Sequence, residues 1–253
     1  MHQHPVVLKI GGNDLDQPGF IDDLAGIVRQ SHAPVIVVHG GGKEISQMQE
    51  QLGIVPRYVD GLRVSDEASL SIAEMVLCGA INTRIVRTLQ LRGIEAQGLS
   101  GMDRGLIRVR KLEHPQGDLG RVGEPVAVRG EVLLHLLYLG VTPVVSPISL
   151  GDDGPYNVNA DHVAGAIAQA VNAEKVIFTT NVHGVLHGER VVDHLTPSLA
   201  EELIAGGVIH GGMLPKVYTA RHLVAAGVRQ VVITNLAGLM QGIGTTVVPE
   251  VAV

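Results

Sequence analysis

Short apolar runs rich in β-branched residues alternate with longer stretches of helical periodicity along the whole chain. The runs at 6–10, 34–39, 141–145, 176–180 and 230–234 are apolar almost throughout rather than alternating, the pattern of strands buried on both faces. Between them, the spacing predicts helices over 20–31, 43–52, 66–92, 131–139, 162–171, 197–206 and 213–226. The segment 66–92 carries Leu70, Ala73, Val76, Leu77 and Ile81 near helical spacing, an apolar stripe. Residues 93–125 are more irregular, with short alternating runs that predict hairpins, and 55–64 reads as another. Strands separated by helices predict an α/β protein with a mostly parallel central sheet covered on both faces. No repeat or linker interrupts it. The expected division is functional: residues 1–150 form one lobe, 151–253 a second, and the cleft between them is the ligand site.

Composition narrows the class. Of 253 residues, 45% are hydrophobic and only 2% aromatic, without Trp, so the core is aliphatic and few rings are available to stack bases. The net charge is −6 and no basic block occurs, which argues against a nucleic-acid partner. Cys78 is the only cysteine, excluding an internal disulfide and fitting a cytoplasmic location; its apolar, helical setting marks a structural thiol. The N-terminus lacks the charged start and long apolar stretch of a signal peptide, and no apolar run reaches the roughly 20 residues of a membrane span. The cations are 14 Arg against 5 Lys. In an Arg-rich chain each Lys asks for a reason, and a compact point charge fits where a planar fork does not.

Six motifs sit at strand ends and turns. Leu8-Lys9-Ile10-Gly11-Gly12 puts a lysine in an apolar strand just before two glycines that can bring backbone N–H groups close to a phosphate. A snorkelling lysine and an ordinary turn account for it equally. Val38-His39-Gly40-Gly41-Gly42 forms an anion-binding turn between strand and helix. It is neither a Walker A loop, because Glu44 follows Lys43, nor a G-x-G-x-x-G fingerprint, because Ile45 takes the last position. Asp60-Gly61-Leu62-Arg63-Val64 places Arg63 after a turn, either to clamp a carboxylate or to form an exposed salt bridge.

Asn157-Val-Asn-Ala-Asp161 combines two carboxamides and a carboxylate between an apolar run and an Ala-rich helix, with Asp161 at or near the N-cap. A capped helix alone also explains it. In Gly211-Gly-Met-Leu-Pro-Lys216 the lysine lies near a helix N-terminus, against the dipole, an anomaly that a bound polyanion resolves. The stretch Thr179-Thr-Asn-Val-His-Gly-Val-Leu186 is a polar strand end with a glycine turn. The twelve histidines show no metal-ligand spacing, so no side chain is expected to bind a metal; His39 is expected beside the triple-glycine turn without a catalytic role.

In combination and order, these motifs resemble the amino acid kinase superfamily and, within it, the acetylglutamate kinases. The resemblance implies a three-layer αβα sandwich, an acceptor lobe (1–150) that also dimerises, and an ATP lobe (151–253). It implies a cytoplasmic homodimer that uses ATP with Mg2+ to phosphorylate the side-chain carboxylate of N-acetyl-L-glutamate, a step of arginine biosynthesis. Lys9 and Lys216 match the two lysines flanking the transferring phosphoryl, and Asp161 the carboxylate holding both. Gly41, Gly42, Arg63 and Asn157 match acceptor-binding positions, with Arg63 on the α-carboxylate. Gly11 and Gly12 match the turn at the phosphates. Asn181, Val182, His183, Gly184, Val185 and Leu186, with Val208, Ile209 and His210, match the nucleotide-binding segments.

Two departures stand out. Position 181 is Asn where many relatives carry Asp, and the extra N-terminal helix of the arginine-inhibited hexameric branch is not expected here. The rival readings are a superfamily kinase acting on a carrier-protein-linked aminoadipate or glutamate group, and a non-catalytic nucleotide or amino-acid sensor. The first expects a basic rim for an acidic carrier; the second has no use for two lysines and an aspartate.

Overall fold

A computed structural model describes residues 3–250. The chain begins with β1 (Val6–Ile10), α1 (Gly12–Leu15), α2 (Phe20–Gln30), β2 (Val35–His39), α3 (Gly42–Gln51), β3 (Tyr58–Val59) and β4 (Leu62–Arg63). A long helix follows, α4 (Glu67–Glu74) passing through a π-helical stretch Met75–Ile81 into α5 (Asn82–Leu91). Then come β5 (Ala96–Gly101), β6 (Ile107–Lys111), β7 (Val122–Val128), α6 (Gly130–Tyr138), β8 (Thr142–Gly151), β9 (Gly154–Val158) and α7 (Ala160–Ala170). The last part holds β10 (Lys175–Thr179), β11 (Leu186–His187), β12 (Arg190–Val191), β13 (His194–Leu195), α8 (Pro197–Ala205), α9 (Met213–Ala225), β14 (Val231–Thr234), α10 (Leu236–Gln241) and β15 (Thr245–Val247).

One 11-stranded sheet runs through the molecule in the order β13-β15-β14-β10-β1-β2-β8-β6-β7-β9, with β5 also paired to β8. Its centre, β14-β10-β1-β2-β8-β5, is parallel, as continuous apolar runs require. Helices cover both faces and two separate cores form. Val7, Ile36, Val38, Val176 and Phe178 pack on one face with α7 and α9. Val6, Leu8, Ile10, Val35, Val37 and Ile177 pack on the other with α2 and the long helix. Each of these apolar side chains contributes roughly 1.5–3 kcal/mol on burial.

The alternation along β1 and β10 decides where the polar groups at their ends point. Lys9 shares the face of Val7, towards α7, because successive side chains in a strand alternate. Thr179 shares the face of Ile177, towards α1 and α2. One strand end therefore feeds the two faces with different chemistry.

Several elements differ from the pattern reading. The 93–125 region holds the antiparallel pair β6–β7, but β5 runs parallel to β8 instead of closing a hairpin. β8 is ten residues long and turns back at once into β9, so Asn157 lies on a strand and not in the loop opening α7. The residue capping α7 is Asn159, whose side chain accepts the Asp161 N–H at 2.8 Å; Asp161 stands one turn-position further in, with its carboxylate free for other work. The hairpin expected within 55–64 is present as β3–β4. The helix joined across Glu67–Leu91 is long and apolar enough, by length and composition, to cross a membrane. Half of that apolar stretch is buried, and its stripe packs into the second core, which a core helix explains.

Candidate active site

The cleft lies at the carboxyl ends of β1, β2 and β10, where open parallel sheets hold ligands. It consists of two adjoining cavities that share Lys9 and Gly42. The larger, about 700 Å³, is also lined by Gly11, Gly12, Lys43, Asn181 and Lys216. The smaller, about 220 Å³, is also lined by Gly41, Tyr58, Arg63, Asn157 and Asp161.

Lys9, Asp161 and Lys216 meet where the cavities join. The Lys9 Nζ is 2.8 Å from Asp161 Oδ1, and the Lys216 Nζ is 3.6 Å from Oδ2. The Oδ1 atom accepts no well-aligned hydrogen bond, so its contact with Lys9 is an ion pair. The three residues come from β1, α7 and α9, and the face alternation of β1 is what turns Lys9 towards α7. Burial alone raises the Asp161 pKa, but Lys9 and then Lys216 outweigh it and hold the carboxyl at about 2. Burial, followed by the Lys9 ammonium, lowers the Lys216 pKa below the usual lysine range, while Asp161 acts to raise it.

The glycine turns touch each other. A Cβ on Gly12 would lie 3.1 Å from Gly41 Cα and from Gly42 N, and one on Gly41 would collide with Ile81 Cδ1 and stand 2.8 Å from Leu77 Cδ2. Both positions leave no room for a side chain. Leu77 and Ile81 come from the π-helical stretch, whose extra residue widens the turn that faces Gly41. His39 is fully buried behind this turn and lines neither cavity. Its Nδ1 donates to Gly40 O at 3.0 Å and its Nε2 accepts from Asn82 Nδ2 at 3.1 Å. Burial lowers its pKa to about 4, so it braces the turn as a neutral ring. Cys78 packs against Ser146 Oγ at 3.1 Å, and burial pushes its thiol pKa up, as suits a structural thiol.

Arg63 is buried and forms no exposed salt bridge, which removes that alternative. Its Nη1 donates to Gln49 Oε1, and its Nη2 lies within hydrogen-bond distance of Gly42 O (2.6 Å), Ser46 Oγ (2.9 Å) and Tyr58 OH (2.5 Å). Gln49 is itself held by Ser69, its Nε2 donating to Oγ at 2.9 Å. The Tyr58 ring lies 4.8 Å from the guanidinium carbon. Among the described residues no carboxylate pairs with this cation, which leaves its charge open to an anionic group in the smaller cavity. Asn157 donates to Ser65 Oγ at 3.1 Å and faces the same cavity.

Most of the expected nucleotide positions line the larger cavity: Asn181, Val182, Gly184, Val185, Leu186, Val208 and His210. Two do not. Ile209 is a core residue, and His183 is exposed outside the cavity lining. Between cavity-lining neighbours, Ile209 turns into the core and His183 out to solvent. The loop is anchored by Val185 N–H donating to Thr245 Oγ1 at 2.8 Å.

Three cleft residues are not singled out by the sequence pattern. Asp14 lines the larger cavity, and its Oδ2 accepts from Thr179 Oγ1 at 2.5 Å and from Gly11 N at 3.1 Å. Lys43 lines the same cavity and pairs with Asp16 at 2.6 Å. Tyr58 braces Arg63. The scarcity of lysine pointed to Lys43; the spacing of Asp14 three residues after Gly11 was the signal for a side chain reaching back to that turn.

Residues 4–235 match the model of the amino acid kinase family. An acetylglutamate kinase of Roseiflexus sp. (strain RS-1) is 55% identical over 245 residues, 97% of this chain and 94% of the relative. One of Methanopyrus kandleri is 45% identical, covering 95% of this chain and 99% of the relative. Among solved structures, a protein of Streptococcus mutans UA159 superposes with a TM-score of 0.83 at 29% identity, covering 96% of this chain and 98% of its own. The N-acetylglutamate synthase of Neisseria gonorrhoeae, bound to coenzyme A and N-acetyl-glutamate, shares the fold at TM-score 0.84 and 22% identity; this chain covers 99% of itself and spans 61% of that protein. With the family's fold, its ordered motifs and these relatives all in agreement, the chain belongs to the amino acid kinase family, in its acetylglutamate kinase branch.

Proposed function

We propose that the chain transfers the γ-phosphoryl group of ATP to the side-chain carboxylate of N-acetyl-L-glutamate, forming N-acetyl-L-glutamyl 5-phosphate in arginine biosynthesis. The observation that carries this reading is the meeting of Lys9, Lys216 and Asp161 at the seam between a large and a small cavity. The larger cavity takes the nucleotide, along 181–186 and 208–210, with the phosphates over Gly11 and Gly12. The smaller takes the acceptor, with its α-carboxylate on Arg63 and its amide polar groups near Asn157 and the Gly41–Gly42 turn. In this reading residues 1–150 are the acceptor and dimerisation lobe and 151–253 the ATP lobe, with Asn157–Asp161 reaching across.

The acceptor is a carboxylate and the donor a polyphosphate, so like charges must approach. A carboxylate is already deprotonated and needs no general base; positioning and charge compensation remain. Lys9 and Lys216 meet the equatorial oxygens of the transferring group from opposite lobes. Asp161 keeps both ammonium groups charged and aimed. The larger cavity also suits a divalent cation carried on the phosphates, because Asp14 offers a carboxylate oxygen there among the lysines. Mg2+ arriving with the nucleotide would supply further neutralisation of the phosphate charge there.

The free thiol of Cys78 suits a reducing cytoplasm. Exposed Met75 and Leu91 on the long helix supply apolar surface for a homodimer. Trapping the acyl phosphate with hydroxylamine, acceptor by acceptor, tests the activity. Hydroxamate with N-acetylglutamate supports the proposal; hydroxamate only with a carrier-linked aminoadipate group transfers it to that substrate, and none with any acceptor favours a sensor.

A further inference from the structure

Asp14 is buried, 4% exposed, on the wall of the larger cavity. Every hydrogen bond it accepts goes to one oxygen, Oδ2: from the Gly11 amide at 3.1 Å and the Thr179 hydroxyl at 2.5 Å. Among the described residues no donor reaches Oδ1 within bonding distance, and Asp14 forms no ion pair. The lysines of the cleft are committed elsewhere, Lys9 and Lys216 to Asp161 and Lys43 to Asp16.

Helix capping accounts for part of this. Asp14 is the third residue of α1 and reaches back to the amide of Gly11, as such residues do. Capping does not account for Thr179, which comes from β10, 165 residues later, and bonds the same oxygen. Nor does it require a charge, since Asn or Ser accepts a hydrogen bond there as well. Lys216 acts on Asp14 electrostatically from beyond ion-pair distance, and a buried carboxylate with no paired cation is costly to keep. In a cavity shaped for a polyphosphate it also repels the ligand. A divalent cation on the phosphates reverses that sign: it brings positive charge to the carboxylate and halves the negative charge of the nucleotide.

We propose that Asp14 makes this site select nucleotide carrying a divalent cation over bare nucleotide, with Thr179 as the positioning residue that fixes one oxygen and leaves the other towards the cavity. The inference rests on the ATP reading of the larger cavity. Bare ATP is repelled by the Asp14 charge and binds more weakly. The cation-loaded form meets it as an attraction, directly or through the cation's water shell. The Gly11–Asp14–Thr179 link also ties the phosphate turn to β10, so the discriminating charge sits on a fixed frame.

Calorimetric titration of the full chain with a non-hydrolysable ATP analogue, once with Mg2+ and once with EDTA, tests this. Asp14→Asn keeps the size and the acceptor atom and removes the charge. The expected result is about tenfold tighter binding of the metal-free analogue, equal to about 1.4 kcal/mol, with the Mg2+-loaded affinity unchanged or weaker. The ratio of the two affinities therefore falls by about ten. Thr179→Val keeps the charge and loses only its anchor, so most of the preference survives. If Asp14→Asn moves both affinities together, or neither, Asp14 is only a cap and the inference is overturned. Asp14→Ser reads the same ratio if the asparagine variant fails to fold, as checked by far-UV circular dichroism. Wild-type protein that binds neither form of the analogue contradicts the ATP reading instead.

Discussion

Asp161→Asn removes the one negative charge between two ammonium groups while preserving shape. The carboxylate lies 2.8 Å from one Nζ and 3.6 Å from the other. At an effective dielectric of about 20, each such pairing has a Coulomb scale of about 4 kcal/mol or more. Desolvation offsets much of this in the resting protein. The remainder acts on the lysines: without Asp161 they repel each other, and the group that raises the Lys216 pKa is gone. The expected loss in kcat is about 10²–10³, the scale of one lost electrostatic stabiliser.

A second signature separates this mechanism from simple damage to the fold. Burial and Lys9 already lower the Lys216 pKa, so the wild-type rate falls at alkaline pH before an ordinary lysine, near 10.4, would deprotonate. In Asp161→Asn that alkaline limb moves to still lower pH. The assay is ADP release coupled to a reporter, with kcat followed across pH in both proteins. Turnover within a few-fold of wild type, with the alkaline limb unmoved, refutes the reasoning.

Further outcomes follow from the same geometry. Lys9→Ala and Lys216→Ala each lower kcat by about 10²–10³ in steady-state assays, with the fold verified by circular dichroism. Arg63→Ala raises KM for the acceptor by roughly 10–100-fold with a smaller change in kcat, because a charged hydrogen bond worth about 1.5–3 kcal/mol is made in ground and transition states alike. Gly41→Ala forces a methyl against Ile81 and Leu77, and thermal denaturation reads a loss of about 1–3 kcal/mol, with weaker acceptor binding. The Asp161 pKa is depressed on folding, so its contribution of about 2 kcal/mol is present above the unfolded value near 4 and is lost as pH falls towards about 2. Urea midpoints measured across that window fall less steeply in Asp161→Asn.

The parallel centre of the sheet was legible because strands covered on both faces have little alternative to continuous apolar sequence. The same sequence did not disclose that β8 runs on to Gly151 and folds back into β9, since the apolar run that marks the strand is 141–145. Asp161 was legible as a site residue, but the capping role expected at or near it falls to Asn159. Lys9 and Lys216 could be singled out by their settings against apolar neighbours and a helix dipole. Their separation could not: it depends on alternation along β1 and on where α7 and α9 settle. Asp14, Thr179 and the Gln49–Arg63–Tyr58 network stayed hidden for a related reason. Each is a contact between distant segments, and a short polar residue beside a turn looks the same whether or not a partner arrives from elsewhere in the chain. Ile209 and His183 failed in the opposite direction, because a contiguous segment was carried over where only some of its side chains face the cavity.

The central claim is that two ammonium groups share one migrating phosphoryl unit. A crystal structure with ADP, aluminium fluoride and N-acetyl-L-glutamate measures it most directly. Both the Lys9 and Lys216 Nζ atoms are expected at about 2.7–3.2 Å from fluorides of the planar group, with Asp161 still between them. A fluoride cluster touched by only one lysine, or by neither, contradicts it.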